Sequence, residues 1–152
     1  MLDAVAALQV RVLLTLGGAV PASTVDPPSN VTVRGFIPHD LLLPHMAAVI
    51  CHGGLSPITA ALTAGLPLVC IPQGRDQPDN AQRVAAAGVG RAVTADAPPA
   101  QIATVIEELL ADPTALREAR RFARLIAGLG CGDAATRQVA ELARKRAPAS
   151  LS

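Results

Sequence analysis

The sequence predicts an α/β fold: a Rossmann-like parallel sheet of about five strands with flanking helices. Three observations carry this. Short β-rich apolar runs alternate with helical stretches from Val10 to Val93, and glycine or proline marks most of the changes. From Leu41 to Gly74 there is no Asp, Glu, Lys or Arg. Strands that read as continuous apolar runs belong to sheets covered on both faces. Strand–helix alternation makes such a sheet parallel, with right-handed crossovers.

Each element has its own local reason. Leu2 to Gln9 reads as the end of a helix. Val10 to Leu16 is a β-rich run stopped by Gly17-Gly18, and a loop with Pro21, Pro27 and Pro28 follows. Val31 to Phe36 is a second strand, Leu41 to Met46 a short helix, and Ala48 to Cys51 a third strand. Ser56 to Ala64 has a helix start signal, with Ser at the N-cap and Pro57 at the first helical position. Gly65 closes it, because glycine accepts the left-handed backbone of a helix C-terminus. Leu66 to Ile71 is the fourth strand. A helix from Pro78 to Ala87 ends at Gly88, and Val89 to Val93 is the fifth strand. Helices are then expected over Pro99–Leu110, Pro113–Leu129 and Asp133–Arg146.

At 152 residues the chain is about one domain long, assigned to residues 1–147 with a disordered tail at 148–152. Apolar residues are 51% and charged residues 16%, enough for a buried core. Two Phe and no Tyr or Trp argue against stacking platforms for single-stranded nucleic acid. Thirteen Lys and Arg against twelve Asp and Glu give +1, so no overall field recruits a polyanion, and no nucleic-acid partner is expected. The basic residues between Arg117 and Arg146 read as a solvated helix face, with a membrane or nucleic-acid patch the lesser alternative.

Three cysteines, Cys51, Cys70 and Cys131, have no C-x-x-C spacing, which argues against a zinc site or a disulfide scaffold. Cys51 and Cys70 lie in apolar runs and read as small buried hydrophobes. The charge-free stretch is broken by Pro44, Gly53-Gly54, Pro57, Gly65, Pro67 and Pro72, so no integral membrane segment is expected. Without a basic region followed by an apolar one at the start, the expected location is cytoplasmic.

In doubly wound sheets ligands bind beyond the carboxyl ends of the strands, and three segments fall there. Cys51-His52-Gly53-Gly54-Leu55-Ser56-Pro57 leads a strand into a helix N-terminus. Its glycines allow close backbone approach, and free N–H groups and the helix dipole favour an anion such as phosphate. The alternative is a tight turn in which His52 merely caps. In Pro72-Gln73-Gly74-Arg75-Asp76-Gln77-Pro78-Asp79-Asn80, adjacent Asp76 and Gln77 suit vicinal hydroxyls of a sugar; the alternative is that either caps the next helix. In Arg34-Gly35-Phe36-Ile37-Pro38-His39, Phe36 could cover a flat base or fill the core.

The order Phe36-x-Pro38-His39, His52-Gly53-Gly54, Gly65-x-Pro67, then Asp76-Gln77-x-x-Asn80-x-x-Arg83-Val84 and Gly88 resembles a known family across nearly the whole chain. That family is the C-terminal, donor-binding domain of nucleotide-sugar-dependent glycosyltransferases of the GT-B fold, in the bacterial branch that glycosylates macrolides and other natural products. The resemblance implies that Phe36 faces the nucleobase, where the family usually has Trp. Ile37 would offer backbone hydrogen bonds to the base edge, and His39 stands where Gln is common. His52 would contact the diphosphate and offset the charge of the departing nucleoside diphosphate. Gly53, Gly54 and the amides around Ser56 would cradle phosphates, and Asp76 and Gln77 would hold sugar hydroxyls. The implied partners are a UDP- or dTDP-sugar and a small-molecule acceptor. Transfer would be inverting and metal-independent, with no cofactor, and no D-x-D motif is present.

Two departures from the family pattern bear on function. After His-Gly-Gly the family usually reads small-Gly-Thr or a Ser/Thr pair; here Leu55-Ser56-Pro57 stands, and proline lacks an N–H. The family's N-terminal domain, which binds the acceptor and supplies the catalytic base, has no counterpart in these residues. Neither does the strand that opens the donor domain. The resemblance implies a strand order 2-1-3-4-5, with the first and third either forced together or separated by a gap. The expected function is therefore the donor-binding half of a hexose-transferring glycosyltransferase, needing an N-terminal acceptor domain or partner chain. The alternatives are a non-catalytic nucleotide-sugar-binding fragment or subunit, or part of a GT-B fold sugar-nucleotide epimerase.

Overall fold

A computed structural model describes residues 1–17, 20–129, 138 and 141. Within residues 1–129, five strands and six helices follow one another in the expected order. They are α1 (Leu2–Ala6), β1 (Val12–Thr15), β2 (Val31–Arg34), α2 (His39–Leu42), β3 (Val49–Cys51), α3 (Leu55–Thr63), β4 (Leu68–Cys70), α4 (Gln77–Ala86), β5 (Gly90–Ala92), α5 (Pro99–Leu110) and α6 (Pro113–Gly128). The helix expected over Asp133–Arg146 and the tail at 148–152 lie outside the described residues, apart from 138 and 141.

Among the described residues every strand pairing is parallel. The strands form two sheets, β1-β2 and β3-β4-β5. Of the two outcomes expected for the first and third strands, a gap is the one observed. It is a largely apolar cavity of about 500 Å³, walled by Val12, Leu13 and Leu14 on one side and Ala48, Ile50 and Cys51 on the other.

Two layers of core cover the sheets, and β4 belongs to both. Val69 packs with α1 and α5, through Val5, Ile102, Ile106 and Leu109. Leu68 and Cys70 turn the opposite way, toward α3 and α4, through Ile58, Ala61, Ala81 and Val84. This alternation is the two-residue period of a strand. All three β4 residues are fully buried, which explains why the segment reads as an unbroken apolar run. β5 is pressed so close to β4 that a Cβ on Gly90 would collide with the Leu68 carbonyl oxygen.

Gly65 and Gly88 follow α3 and α4 with φ of 71° and 68°, the left-handed stop expected of them. Asn30 ties α1 to β2: its amide donates to the carbonyls of Val5 at 2.8 Å and of Leu8 and Val10 at 3.1 Å. At the start of α6, Asp112 accepts from the Thr114 and Ala115 N–H groups at 2.8 and 3.3 Å and from Arg91 at 2.7 Å. These bonds, the one from Arg91 foremost, hold its carboxyl below the usual carboxylate range.

Several expected boundaries move. The second strand ends at Arg34, so Phe36 and Ile37 lie in a loop. The short helix begins at His39 and ends in a 3-10 turn over Leu43–His45. Ser56 is not the N-cap of α3. Gly54 occupies that position in extended conformation, and Ser56 is the second helical residue. The signal misled because Pro57 fits anywhere in the first turn, where N–H groups have no intrahelical partner. No helix among the described residues is long and apolar enough to cross a membrane.

Candidate functional site

Strand β3 delivers the chain at Cys51 into a turn whose first glycine, Gly53, is required by its backbone. Gly53 has φ of 85° and is buried. A Cβ there would come within 3.0 Å of the Gln77 carbonyl oxygen. The two loops predicted from sequence, His52–Ser56 and Gln73–Asn80, are therefore in van der Waals contact through backbone. The next residue, Gly54, starts the nine-residue helix α3. A Cβ on Gly54 would collide with the His52 Nε2, so the exposed imidazole folds back over the helix entrance.

That arrangement places one imidazole beside a helix N-terminus whose first N–H groups, Leu55 and Ser56, have no carbonyl four residues back within the helix. Pro57 supplies no N–H, and the Ile58 N–H is already bonded to the Gly54 carbonyl at 3.3 Å. The donors left for an anion are the two amides, the Ser56 hydroxyl and His52, in the positive end of the helix dipole.

The second loop is braced internally. Gly74 and Arg75 both have positive φ, 143° and 60°. Arg75 is a non-glycine residue held in the left-handed region, a local cost that surrounding structure must offset. The Gln73 N–H donates to Gln77 Oε1 at 2.8 Å. Helix α4 begins at Gln77, one residue before the expected Pro78, with Asp76 at the N-cap position but making no side-chain cap bond. Asp76 is exposed, and its Oδ2 accepts instead from Asn80 Nδ2 at 2.9 Å. The same Asn80 amide donates to the Gly53 carbonyl at 3.2 Å. Asn80 thus clasps the two loops together. Its signal was in the sequence, one helical turn after Asp76, but amide-to-backbone bonds between distant segments leave no periodic trace.

Phe36, Ile37 and His39 follow the carboxyl end of β2, in the other sheet. Phe36 is 72% exposed, which removes the core-filling alternative. Ile37 is half-buried and His39, the first residue of α2, is exposed. No hydrogen bond among the described residues joins this segment to the His52 turn. The structure therefore brings His52, Gly53, Gly54, Ser56, Asp76 and Gln77 to one rim, and places Phe36 and Ile37 on a separate loop with His39 at the start of α2.

Residues 1–142 match the family described as erythromycin biosynthesis protein CIII-like, C-terminal domain. The chain belongs to this family. It is 32% identical over 114 residues to the 3-alpha-mycarosylerythronolide B desosaminyl transferase of Saccharopolyspora erythraea, covering 74% of this chain and 27% of that protein. It is 38% identical over 81 residues to the demethyllactenocin mycarosyltransferase of Streptomyces fradiae, covering 53% and 18%. Among solved structures it superposes on CalG4, the calicheamicin glycosyltransferase, with a TM-score of 0.81 and 30% identity, over 97% of this chain and 38% of that one. Glycosyltransferase VinC in complex with dTDP gives a TM-score of 0.71 at 29% identity, over 81% and 31%. The fold is the C-terminal, Rossmann-like half of GT-B glycosyltransferases, and the chain spans between about a fifth and two fifths of the length of these relatives.

Proposed function

We propose that this domain holds the nucleotide-sugar donor of a glycosyltransferase that glycosylates a small natural product. The observation that carries the proposal is the His52 imidazole folded over Gly54 at the entrance of α3. A diphosphate seated there would meet the Leu55 and Ser56 amides, the helix dipole and a His52 donor. Charge developing on the departing nucleoside diphosphate would meet the same groups, which favours the transition state over the ground state. Phe36, exposed on its own loop, would lie against the nucleobase, with the Ile37 backbone at the base edge and His39 beside it. Asp76 and Gln77 would face the sugar hydroxyls. The donor is a UDP- or dTDP-hexose, and transfer inverts the anomeric centre without a metal. An acceptor domain, on further polypeptide or a partner chain, would bring the base that deprotonates the acceptor; that base must lie within roughly 2.6–3.2 Å of the acceptor oxygen.

One observation favours a second role for Gln77. Its Oε1 is already engaged by the Gln73 N–H, as a structural brace of the loop would be. Substitution of His52 by alanine tests the main proposal. It should weaken binding of UDP or dTDP far more than that of the free nucleoside, measured calorimetrically. Equal losses for both ligands would refute the diphosphate role.

A further inference from the structure

Two thiols that the proposed donor site does not use lie directly beneath it. Cys51 and Cys70 are the last residues of β3 and β4 and are register partners across the parallel pairing. Their Sγ atoms are 4.0 Å apart and share a hydrogen bond. Neighbouring strands run roughly 4.8 Å apart, inside the about 4.4–6.8 Å Cα range that a disulfide spans. The two differ in reach and in acidity. Cys70 is fully buried, whereas Cys51 is half-buried and borders the open cavity between β1 and β3. The Cys51 thiol is lowered to about 7, chiefly by its bond with Cys70 and also by the Gly53 backbone, against the opposing effect of burial. The Cys70 thiol is raised by the same pairing and by burial.

We propose that Cys51 and Cys70 are a reversible dithiol–disulfide pair, oxidised by a hydroperoxide, whose closure distorts the His52–Gly54 turn. Cys51 thiolate attacks the terminal peroxide oxygen. The O–O bond breaks, the leaving oxygen departs as hydroxide or alkoxide and takes up a proton, and Cys51 becomes a sulfenic acid, oxidised by two electrons. Cys70 sulfur then attacks Cys51 Sγ. The S–S bond forms, the S–O bond breaks, and the hydroxyl leaves as water with the Cys70 proton. An external dithiol reverses the process by exchange.

Closure must shorten the 4.0 Å separation to roughly 2 Å. Both sulfurs sit at strand ends, so the movement falls on the residues that follow. On β3 these are His52, Gly53 and Gly54. On β4 they are Ile71 to Gln73, tied back by the Ile71 N–H to the Cys51 carbonyl at 2.8 Å. The disulfide therefore pulls on both loops of the rim at once. The effect on nucleotide affinity rests on the diphosphate role of His52; disulfide formation does not.

The test treats the wild-type chain with hydrogen peroxide and follows intact mass, peptide maps, the His52 ring-proton signals and UDP affinity. The expected result is a loss of two hydrogens, a cross-linked peptide pair joining Cys51 to Cys70, and shifted His52 signals. The UDP Kd should rise about fivefold, the loss of one ordinary hydrogen bond, and dithiothreitol should restore it. Cys70→Ala should leave a sulfenic acid at Cys51 that a cyclic 1,3-dione traps. Oxygen addition at Cys51 without a cross-link, or linkage to Cys131 instead, would overturn the pairing whether or not that variant folds. A Cys51–Cys70 bond that leaves the His52 signals unchanged would overturn the switch. Absence of UDP binding in both redox forms would count against the diphosphate role, while the mass and His52 readouts still decide this proposal.

Discussion

Gly54→Ala is a perturbation that reaches the candidate site through the His52 ring. Gly54 has φ of −67° and ψ of 150°, a conformation any residue adopts, so alanine introduces no backbone strain. The atoms nearest to the added methyl all belong to the His52 ring. The methyl would collide with His52 Nε2 and lie 3.2 and 3.3 Å from Cδ2 and Cε1 of the same ring. The imidazole must swing away from the helix entrance. Loss of glycine at the N-cap costs at most about 1 kcal/mol, which lowers Tm by about 2–4 °C in a domain of this size. Loss of a hydrogen bond to a charged phosphate costs about 1.5–3 kcal/mol. At 1.36 kcal/mol per factor of ten the UDP Kd should rise about 10- to 150-fold.

Calorimetric titration of wild type, Gly54→Ala, His52→Ala and the double variant with UDP and with uridine separates the contributions. The two single variants should lose similar diphosphate affinity, and the double variant little more, because both remove one interaction. Uridine binding should change little. If Gly54→Ala bound UDP like the wild type while His52→Ala did not, the folded-back ring would be irrelevant to the anion. Additive losses in the double variant would show that the methyl blocks the phosphate directly, and the His52 geometry would again carry nothing.

Gln77→Ala should lower affinity for a UDP- or dTDP-sugar and spare the bare diphosphate; an equal fall for both would make Gln77 a brace of the Gln73 turn and nothing more. Leu68→Ala empties a fully buried position shared with α3 and α4, and urea titration should show a loss of about 2–5 kcal/mol. Asp112→Asn keeps a good N-cap and removes the charge paired with Arg91. Because the folded carboxyl is held low, its stabilisation is present above the unfolded value of about 3.9. It is lost as pH falls through the lower folded value, so the stability gap between wild type and variant should be wide at neutral pH and close in acid. Incubated alone with UDP- or dTDP-sugars and a panel of macrolide and flavonoid acceptors, the chain should form no glycoside; robust product without a second protein would mean that it carries its own base.

The order and type of the elements were legible because their causes are local. Apolar runs at Leu66–Ile71 and Val89–Val93, and glycines at 65 and 88, mark strands and helix ends through burial and backbone freedom alone. The α3 boundary was less so. Ser56-Pro57 satisfies the usual start signal, yet the helix begins earlier because Gly54 already supplies the extended residue that leads into it. The division into two sheets was legible only as one of two outcomes. Nothing local in Val10–Leu16 or Ala48–Cys51 decides whether these strands meet, since strand pairing is a long-range choice.

Chemistry at the rim was legible as residue types and not as contacts. His-Gly-Gly before a helix offers an anion the dipole and free amides of a helix N-terminus, a reading local enough to be made from sequence. What the pattern could not convey is that the second glycine makes room for the histidine ring, or that the first abuts the Gln77 carbonyl. The Gly53–Gln77 contact joins segments more than twenty residues apart, and the Gly54–His52 contact depends on how the imidazole folds back. Asn80 shows the consequence. Asn80 is part of the spaced pattern, but its contacts are not: it bonds both Gly53 and Asp76, so the His52–Ser56 turn and the Gln73–Gln77 loop are held by one side chain. Under the proposed function, the loop that would hold the diphosphate and the loop that would hold the sugar are joined through that clasp.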